Sequence, residues 1–207
     1  MSDKNKSLII FDFDGTIADS LPVIYKTGGE IIKDYTDDNI SPKEVEKLKE
    51  SGIRKAIKKL NIPFYKFPIM LLKIQVGIYN HIDEVEPFPG IEKTIQDLKK
   101  DYRLAIFTNN RKKTVNKFLK QNDLDFFEFV KDNPLLRSKD KKLSKMSKNA
   151  LAYVGDQAGD MKAAKETGVL AVGVDWGLDS KGRLERNGAD FIAENPEDLN
   201  EILKQLV

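Results

Sequence analysis

The residues most suited to chemistry in this chain are two aspartates, Asp12 and Asp14, which directly follow the apolar run of residues 8–11. A continuous apolar run is typical of a strand buried on both faces of a parallel sheet. Gly15 comes next and allows the backbone to turn sharply. Carboxylates this close repel each other unless a cation or a shared proton relieves the repulsion. A surface loop rich in Asp and Gly is the simpler interpretation, but the buried strand before it favours a reactive site.

Further polar side chains follow the later apolar segments. They are Thr108, Asn109, Asp156 and Asp160. Ligands of a doubly wound sheet bind beyond the carboxyl ends of its strands, so we expect all these side chains to meet Asp12 and Asp14 at one rim.

The residue types at this rim indicate a divalent cation and phosphate chemistry. Oxygen ligands without nearby His or Cys favour Mg²⁺ over zinc. Thr108 and Asn109 stand at a predicted helix start, where a hydroxyl, an amide and main-chain N–H groups can bind phosphate. One carboxylate can attack phosphorus, and another can give a proton to the leaving oxygen and later take one from water.

The elements that must hold these residues alternate between strands and helices, which predicts an α/β fold with a Rossmann-like, doubly wound parallel sheet. The predicted strands are residues 8–11, 103–107, 150–154 and 169–174, with a further short strand at 126–130. The last helix has Asn195 as its N-cap and Pro196 in its first turn.

Residues 17–86 differ from the rest because their periodicity is helical and no strand is evident. One apolar stripe there consists of Met70, Leu71, Ile74 and Ile78. We therefore predict a core domain of residues 1–16 and 87–207, and an inserted, all-helical cap domain of residues 17–86.

Composition excludes several classes of protein. The 35 Lys and Arg residues nearly balance the 33 Asp and Glu residues, so the net charge of +2 does not favour nucleic acid or membrane partners. The chain has no cysteine, and no stretch approaches the length of a membrane span. The cations of residues 137–148 are most simply a solvated helix face. We expect a cytoplasmic protein with neither a membrane nor a nucleic-acid partner, either a monomer or a homodimer.

Three motifs in this order resemble the haloacid dehalogenase superfamily of hydrolases, most of which are phosphatases. They are DFDGT at residues 12–16, TNN at 108–110 and GDQAGD at 155–160. The stretch of residues 153–177 is also similar to the phosphoglycolate phosphatase-like branch. The resemblance covers nearly the whole chain and implies a HAD-like core with a helical cap inserted after the first motif.

The resemblance also implies a role for each motif residue. Asp12 would be the nucleophile, Asp14 the general acid and base, and Thr108 a phosphate ligand, with Asn109 beside it. Magnesium would be bound by Asp12, Asp156 and the main-chain carbonyl of Asp14. Asp160 would support this metal site.

The superfamily also uses a lysine between the second and third motifs to contact the phosphate. Lys139 fits best because Leu143 follows it by four residues, and Lys142 is the second choice among several neighbours that include Lys141. The proline that usually follows this lysine is absent.

These observations together predict a magnesium-dependent phosphatase that hydrolyses a small phosphorylated metabolite, similar to phosphoglycolate, through an aspartyl-phosphate intermediate. A phosphomutase of the β-phosphoglucomutase type is the alternative enzyme, and a non-catalytic protein that binds phosphate or metal is the alternative of another class. Arg54 could bind a substrate carboxylate, although a solvated helix face is the simpler interpretation.

Overall fold

The strands and helices described here are those of a computed structural model, which describes residues 6–34, 64–133 and 150–206, together with residues 143, 144 and 146. The strands are β1 (Leu8–Phe11), β2 (Arg103–Thr108), β3 (Phe129–Asp132), β4 (Ala150–Gly155), β5 (Leu170–Val174) and β6 (Phe191–Ala193). The helices are α1 (Leu21–Lys33), α2 (Phe67–Asn80), α3 (Ile91–Asp101), α4 (Lys112–Gln121), α5 (Ala158–Thr167), α6 (Lys181–Arg186) and α7 (Pro196–Lys204).

The described strands form one parallel sheet in the order β3-β2-β1-β4-β5-β6. Successive strands are added outward on one side of β1 and then on the other, which is the doubly wound arrangement predicted from the sequence. At the end of β1, Phe11 lies opposite Ile106 of β2 and opposite Val154 of β4. The carboxyl ends of the three central strands therefore meet at the rim where the strand order reverses.

The central strand is buried along its whole length, as its apolar run predicts. All four residues of β1 are buried. Ile10 belongs to a core cluster with Phe107 of β2 and Tyr153 of β4, and Met161 of α5 packs into the same cluster. Because residues of both faces of β1 are covered, the end of the strand is held firmly at the rim.

The predicted strands at residues 8–11, 103–107, 150–154 and 169–174 are confirmed to within one residue at each end. The short strand predicted at 126–130 is instead β3, at Phe129–Asp132, because its pairing with β2 begins at Phe129, opposite Ala105. Among the described strands and α-helices, two were not predicted: β6 has only three residues and α6 only six, too few to show a periodic pattern.

The chain divides into two compact units, Met1–Leu21 with Val85–Val207, and Pro22–Glu84. The sheet belongs to the first, larger unit. These limits differ by a few residues from the predicted domain boundaries at 17 and 86, since Ala18 forms isolated β-bridges with Asp14 and Pro87.

The described part of the smaller unit is helical. The predicted stripe of α2 is buried, with Met70, Leu71, Ile74 and Ile78 each at most 8% exposed. A Cβ on Gly77 of α2 would overlap the Thr27 Cγ2 methyl of α1, so these two helices approach each other closely at this point.

Candidate active site

Three buried aspartates meet at the rim of the sheet. Asp12 follows β1, Asp156 follows β4, and Asp160 lies in the first turn of α5. One carboxylate oxygen from each lies within 4.8 Å of those of the other two, and each residue is at most 3% exposed. Buried like charges are costly without a counter-charge. Oxygen-only donors converging in this way fit a hard divalent cation such as Mg²⁺.

Main-chain donors orient Asp12 at the end of the central strand. Its Oδ1 accepts a hydrogen bond from the N–H of Phe13 at 2.8 Å. Its own N–H donates to the carbonyl of Val154 at 2.7 Å, which continues the pairing of β1 with β4 by one residue. The carboxylate is therefore fixed by the sheet itself and by the turn that follows.

Main-chain donors also hold the other two members of this aspartate trio. Asp156 Oδ2 accepts a hydrogen bond from the N–H of Leu178 at 2.9 Å. Asp160 Oδ2 accepts one from the N–H of Gln157 at 3.1 Å, and its Oδ1 lies 3.4 Å from the hydroxyl of Tyr153. The position of Asp160 in the first turn of α5 also suits a negative charge, because the N-terminus of a helix is partially positive.

Two glycines allow the loops that carry these aspartates to touch. Gly15 has a positive φ of 77°, and a Cβ there would lie 2.7 Å from Asp156 Cγ. A Cβ on Gly177 would lie 2.5 Å from the carbonyl oxygen of Gly15 and 2.7 Å from Asp156 Oδ2. The loops after β1, β4 and β5 therefore pack at the rim without space for a side chain at either position.

Asp14 is placed differently from the trio. It is only partly buried, and its Oδ1 accepts hydrogen bonds from Ser20 Oγ at 2.6 Å and from Asn110 Nδ2 at 3.2 Å. The metal role predicted for Asp14 involves its main-chain carbonyl rather than this carboxylate, and that role stays a prediction. A partly exposed carboxylate oriented by two neutral donors is suited to proton transfer.

The last residue of β2 and the residues after it supply hydroxyl and amide groups on the other side of β1. Thr108 is fully buried, and its Oγ1 accepts a hydrogen bond from the N–H of Asn110 at 2.9 Å. Asn109 Oδ1 accepts one from Asn133 Nδ2 at 3.1 Å, beyond the end of β3. Thr108 thus lies at the same rim as Asp12. The contacts of Thr108 and Asn109 with phosphate stay predictions.

Several residues of this site were not singled out from the sequence. Ser20 and the side chain of Asn110 orient Asp14, and Leu178 contributes its main-chain N–H to Asp156. Asn110 could have been found, because it belongs to the TNN motif. Leu178 carries no such signal, since a main-chain donor does not depend on the side chain.

The lysine predicted to contact phosphate lies outside the described residues, as does Arg54. This applies to Lys139 and equally to Lys141 and Lys142. Among the described helices, none has the length and apolar character required to cross a membrane.

Comparison with known proteins gave matches over nearly the whole chain. The haloacid dehalogenase-like hydrolase family matches residues 9–174. Phosphoglycolate phosphatase from Synechococcus elongatus is 28% identical, covering 96% of this chain and 98% of that protein. Pyrophosphatase PpaX from Bacillus mycoides is 25% identical, covering 96% of this chain and 97% of that protein.

A solved structure shares the fold. It is a haloacid dehalogenase-like family hydrolase from Streptococcus pneumoniae, with a TM-score of 0.79 at 21% identity. The alignment covers 99% of this chain and all of that one. At this identity the likeness establishes the architecture of the chain alone.

Proposed function

This chain belongs to the haloacid dehalogenase-like hydrolase family, and from that membership we propose that it is a magnesium-dependent phosphatase of small phosphorylated metabolites. The observation that carries the proposal is the buried trio of Asp12, Asp156 and Asp160 beside the separately held Asp14. The carboxylates of the trio are suited to binding a cation, and the carboxylate of Asp14 is suited to transferring a proton. The proposed hydrolysis uses both.

In the proposed reaction Asp12 is the nucleophile. One oxygen of its carboxylate attacks phosphorus, the bond from phosphorus to the leaving oxygen breaks, and an aspartyl phosphate forms on Asp12. Asp14 gives its proton to the leaving oxygen, which departs as an alcohol. The N–H of Phe13 holds the carboxylate of Asp12 in the orientation from which it attacks.

The second half of the reaction returns the site to its starting state. Asp14, now ionised, takes a proton from a water molecule as that water attacks phosphorus. The bond from phosphorus to Asp12 breaks, which releases inorganic phosphate and regenerates the carboxylate. Ser20 and Asn110 orient the carboxylate of Asp14 through both proton transfers.

Magnesium, held by Asp12, Asp156 and the carbonyl of Asp14 with support from Asp160, would offset negative charge on the phosphate and on the trio. Thr108 and Asn109 would bind the phosphate oxygens, together with Lys139.

The smaller unit is proposed to be the cap that selects the substrate. Phosphoglycolate is the first compound to test, because the Synechococcus elongatus relative is a phosphoglycolate phosphatase. Inorganic pyrophosphate is the second, because the Bacillus mycoides relative is a pyrophosphatase.

The experiment is release of inorganic phosphate from these two compounds, a panel of sugar phosphates and p-nitrophenyl phosphate, with Mg²⁺ and with excess chelator. We expect Asp12→Asn to lower kcat by about ten-thousandfold or more while leaving the circular dichroism spectrum unchanged.

Asp175→Asn is the matched control, since Asp175 also follows a strand but is exposed and lies outside the trio. Full activity in chelator, or an active Asp12→Asn variant, would contradict the proposal. Phosphate transfer between two sites of a sugar phosphate without net release would indicate a mutase instead.

A further inference from the structure

We propose that Asp179 is a positioning residue for the metal ligand Asp156, through the loop of residues 175–180 that follows β5. This inference rests on the proposed function, because it assigns a task to a residue that supports the magnesium site. Asp179 is buried although it belongs neither to the aspartate trio nor to the three motifs.

The main chain of this β5–α6 loop holds Asp156 at two points. Two successive N–H groups in it donate to Asp156: that of Leu178 to Oδ2 at 2.9 Å, and that of Asp179 to the carbonyl oxygen at 3.1 Å. The carboxylate and the backbone of Asp156 are therefore both held by one short segment of another loop.

The side chain of Asp179 makes two further contacts. Its Oδ2 accepts a hydrogen bond from the N–H of Ala158 at 2.8 Å, and its Oδ1 lies 3.2 Å from Arg183 Nη1. Ala158 is the first residue of α5, and its N–H has no acceptor within a helix. Asp179 thus donates from its main chain to one end of the segment 156–158 and accepts with its side chain from the other end.

The same loop also contacts the segment that carries Asp12 and Asp14. Trp176 Nε1 donates to the carbonyl of Thr16 at 3.2 Å. Gly177 approaches Gly15 and Asp156 too closely for any side chain. The β5–α6 loop therefore contacts both loops that are proposed to supply the metal ligands, and Asp179 contributes a second charged side chain to that junction, beside Asp156.

A junction that holds these loops together is needed because the three carboxylates of the trio repel one another. Three buried carboxylates tend to move apart whenever the cation leaves, and only their partners oppose that motion. Loss of the Asp179 carboxylate would leave the N–H of Ala158 without its acceptor and would loosen segment 156–158 from the β5–α6 loop. The N–H of Leu178 would then no longer hold Asp156 in the orientation that binds the metal.

The test is calorimetric titration of the full chain with Mg²⁺ alone, which reads metal affinity without turnover. We expect Asp179→Ala to weaken Mg²⁺ binding about tenfold, as removal of partners behind a metal ligand commonly does. Asp179→Asn keeps an oxygen that can accept from Ala158, so we expect it to bind within about threefold of the unchanged chain.

A complementary variant removes the donor instead of the acceptor. Ala158→Pro deletes the N–H at the first helical position, where proline is well tolerated, and Gln157 before it is already extended, with φ −123° and ψ 149°. We expect this variant to weaken Mg²⁺ binding by a similar factor to Asp179→Ala, and it provides the test should Asp179→Ala fail to fold.

The matched control is Asp175→Ala. Asp175 lies in the same loop and its Oδ1 also accepts a main-chain N–H at a helix start, that of Lys181 at 2.7 Å. That N–H belongs to α6 rather than to α5, so we expect the Asp175→Ala variant to bind Mg²⁺ as tightly as the unchanged chain. Equal affinity in Asp179→Ala and the unchanged chain would overturn the inference, as would equal weakening by Asp175→Ala. Absence of Mg²⁺ binding by the unchanged chain would contradict the proposed function itself.

Discussion

The aspartate trio and the exposed surface of the smaller helical unit are held by different kinds of contact. Asp12 and Asp156 accept hydrogen bonds from main-chain N–H groups, and the loops around them touch through glycines. In the smaller unit, Lys26 pairs with Glu84, and both side chains are more than half exposed. Main-chain contacts survive most substitutions of the donor residue, whereas exposed ion pairs contribute little and depend on both side chains.

The difference separates the part of the chain proposed to perform the reaction from the part proposed to select its substrate. The geometry at the rim depends on backbone conformation and on a few glycines, so we expect it to tolerate substitution of the main-chain donors but not of those glycines. We expect the described helices of the smaller unit to tolerate changes at exposed positions, because surface substitutions usually alter stability little. Two relatives with different activities, a phosphoglycolate phosphatase and a pyrophosphatase, each align over 96% of this chain.

The largest expected effect, apart from loss of Asp12, is that of Asp14→Asn. General acid and base catalysis contributes about a hundredfold to ten-thousandfold, so hydrolysis of alkyl phosphates is expected to slow by a factor in that range. The first step with p-nitrophenyl phosphate is expected to slow less, because its leaving group needs little protonation. Rapid-quench measurement of the first turnover checks this, and an equal loss for both substrates would rule out Asp14 as the proton donor.

Gly177→Ala tests how tightly the rim is packed. A Cβ there would lie 2.5 Å from a backbone oxygen, which cannot move aside as a flexible side chain can. We expect the free energy of unfolding in urea to fall by about 3 kcal/mol, the upper end of the usual cost of overpacking. Gly159→Ala is the control in the same region, since its Cβ would meet nothing within 4 Å of the described structure. Equal stability of the two variants would show that the loops can separate without cost.

Gly28→Ala is expected to have the smallest effect, and in the opposite direction. Gly28 lies inside α1, and an added Cβ would meet no described atom within 4 Å. Alanine is expected to stabilise the helix by about 0.5–1 kcal/mol, as measured in urea by circular dichroism at 222 nm. Gly77→Ala in α2 is the matched control, because its Cβ would overlap Thr27, and it is expected to destabilise. Stabilisation by both substitutions would mean that α1 and α2 are not closely packed.

The meeting of Asp12 and Asp156 at the rim could be predicted from the sequence because the end of each buried strand is marked by the end of an apolar run. Asp12 and Asp156 each follow an apolar strand, and parallel strands bring their carboxyl ends to one edge. This reasoning requires only the strand pattern, and that pattern was confirmed.

The partners of these aspartates could not be predicted in the same way. Leu178 acts through its N–H, and Asp179 through a contact between two loops that are distant in sequence. Neither contact has a periodic pattern, since loop geometry depends on turns rather than on the alternation of apolar residues. Ser20 is a similar case, because its contact with Asp14 depends on the turn between them.

The place of β1 in the sheet has a consequence for biosynthesis. Leu8 lies opposite Arg103 on one side and opposite Ala150 on the other, so β1, the first of the described strands, pairs with strands that are made much later. Four consecutive apolar residues therefore leave the ribosome without a partner and are open to aggregation or chaperone binding. Pairings so distant in sequence also slow folding. A nascent chain stalled before residue 150 would lack both the second neighbour of β1 and Asp156, so the aspartate trio could form only after the residues of β4 and the loop that follows it are made.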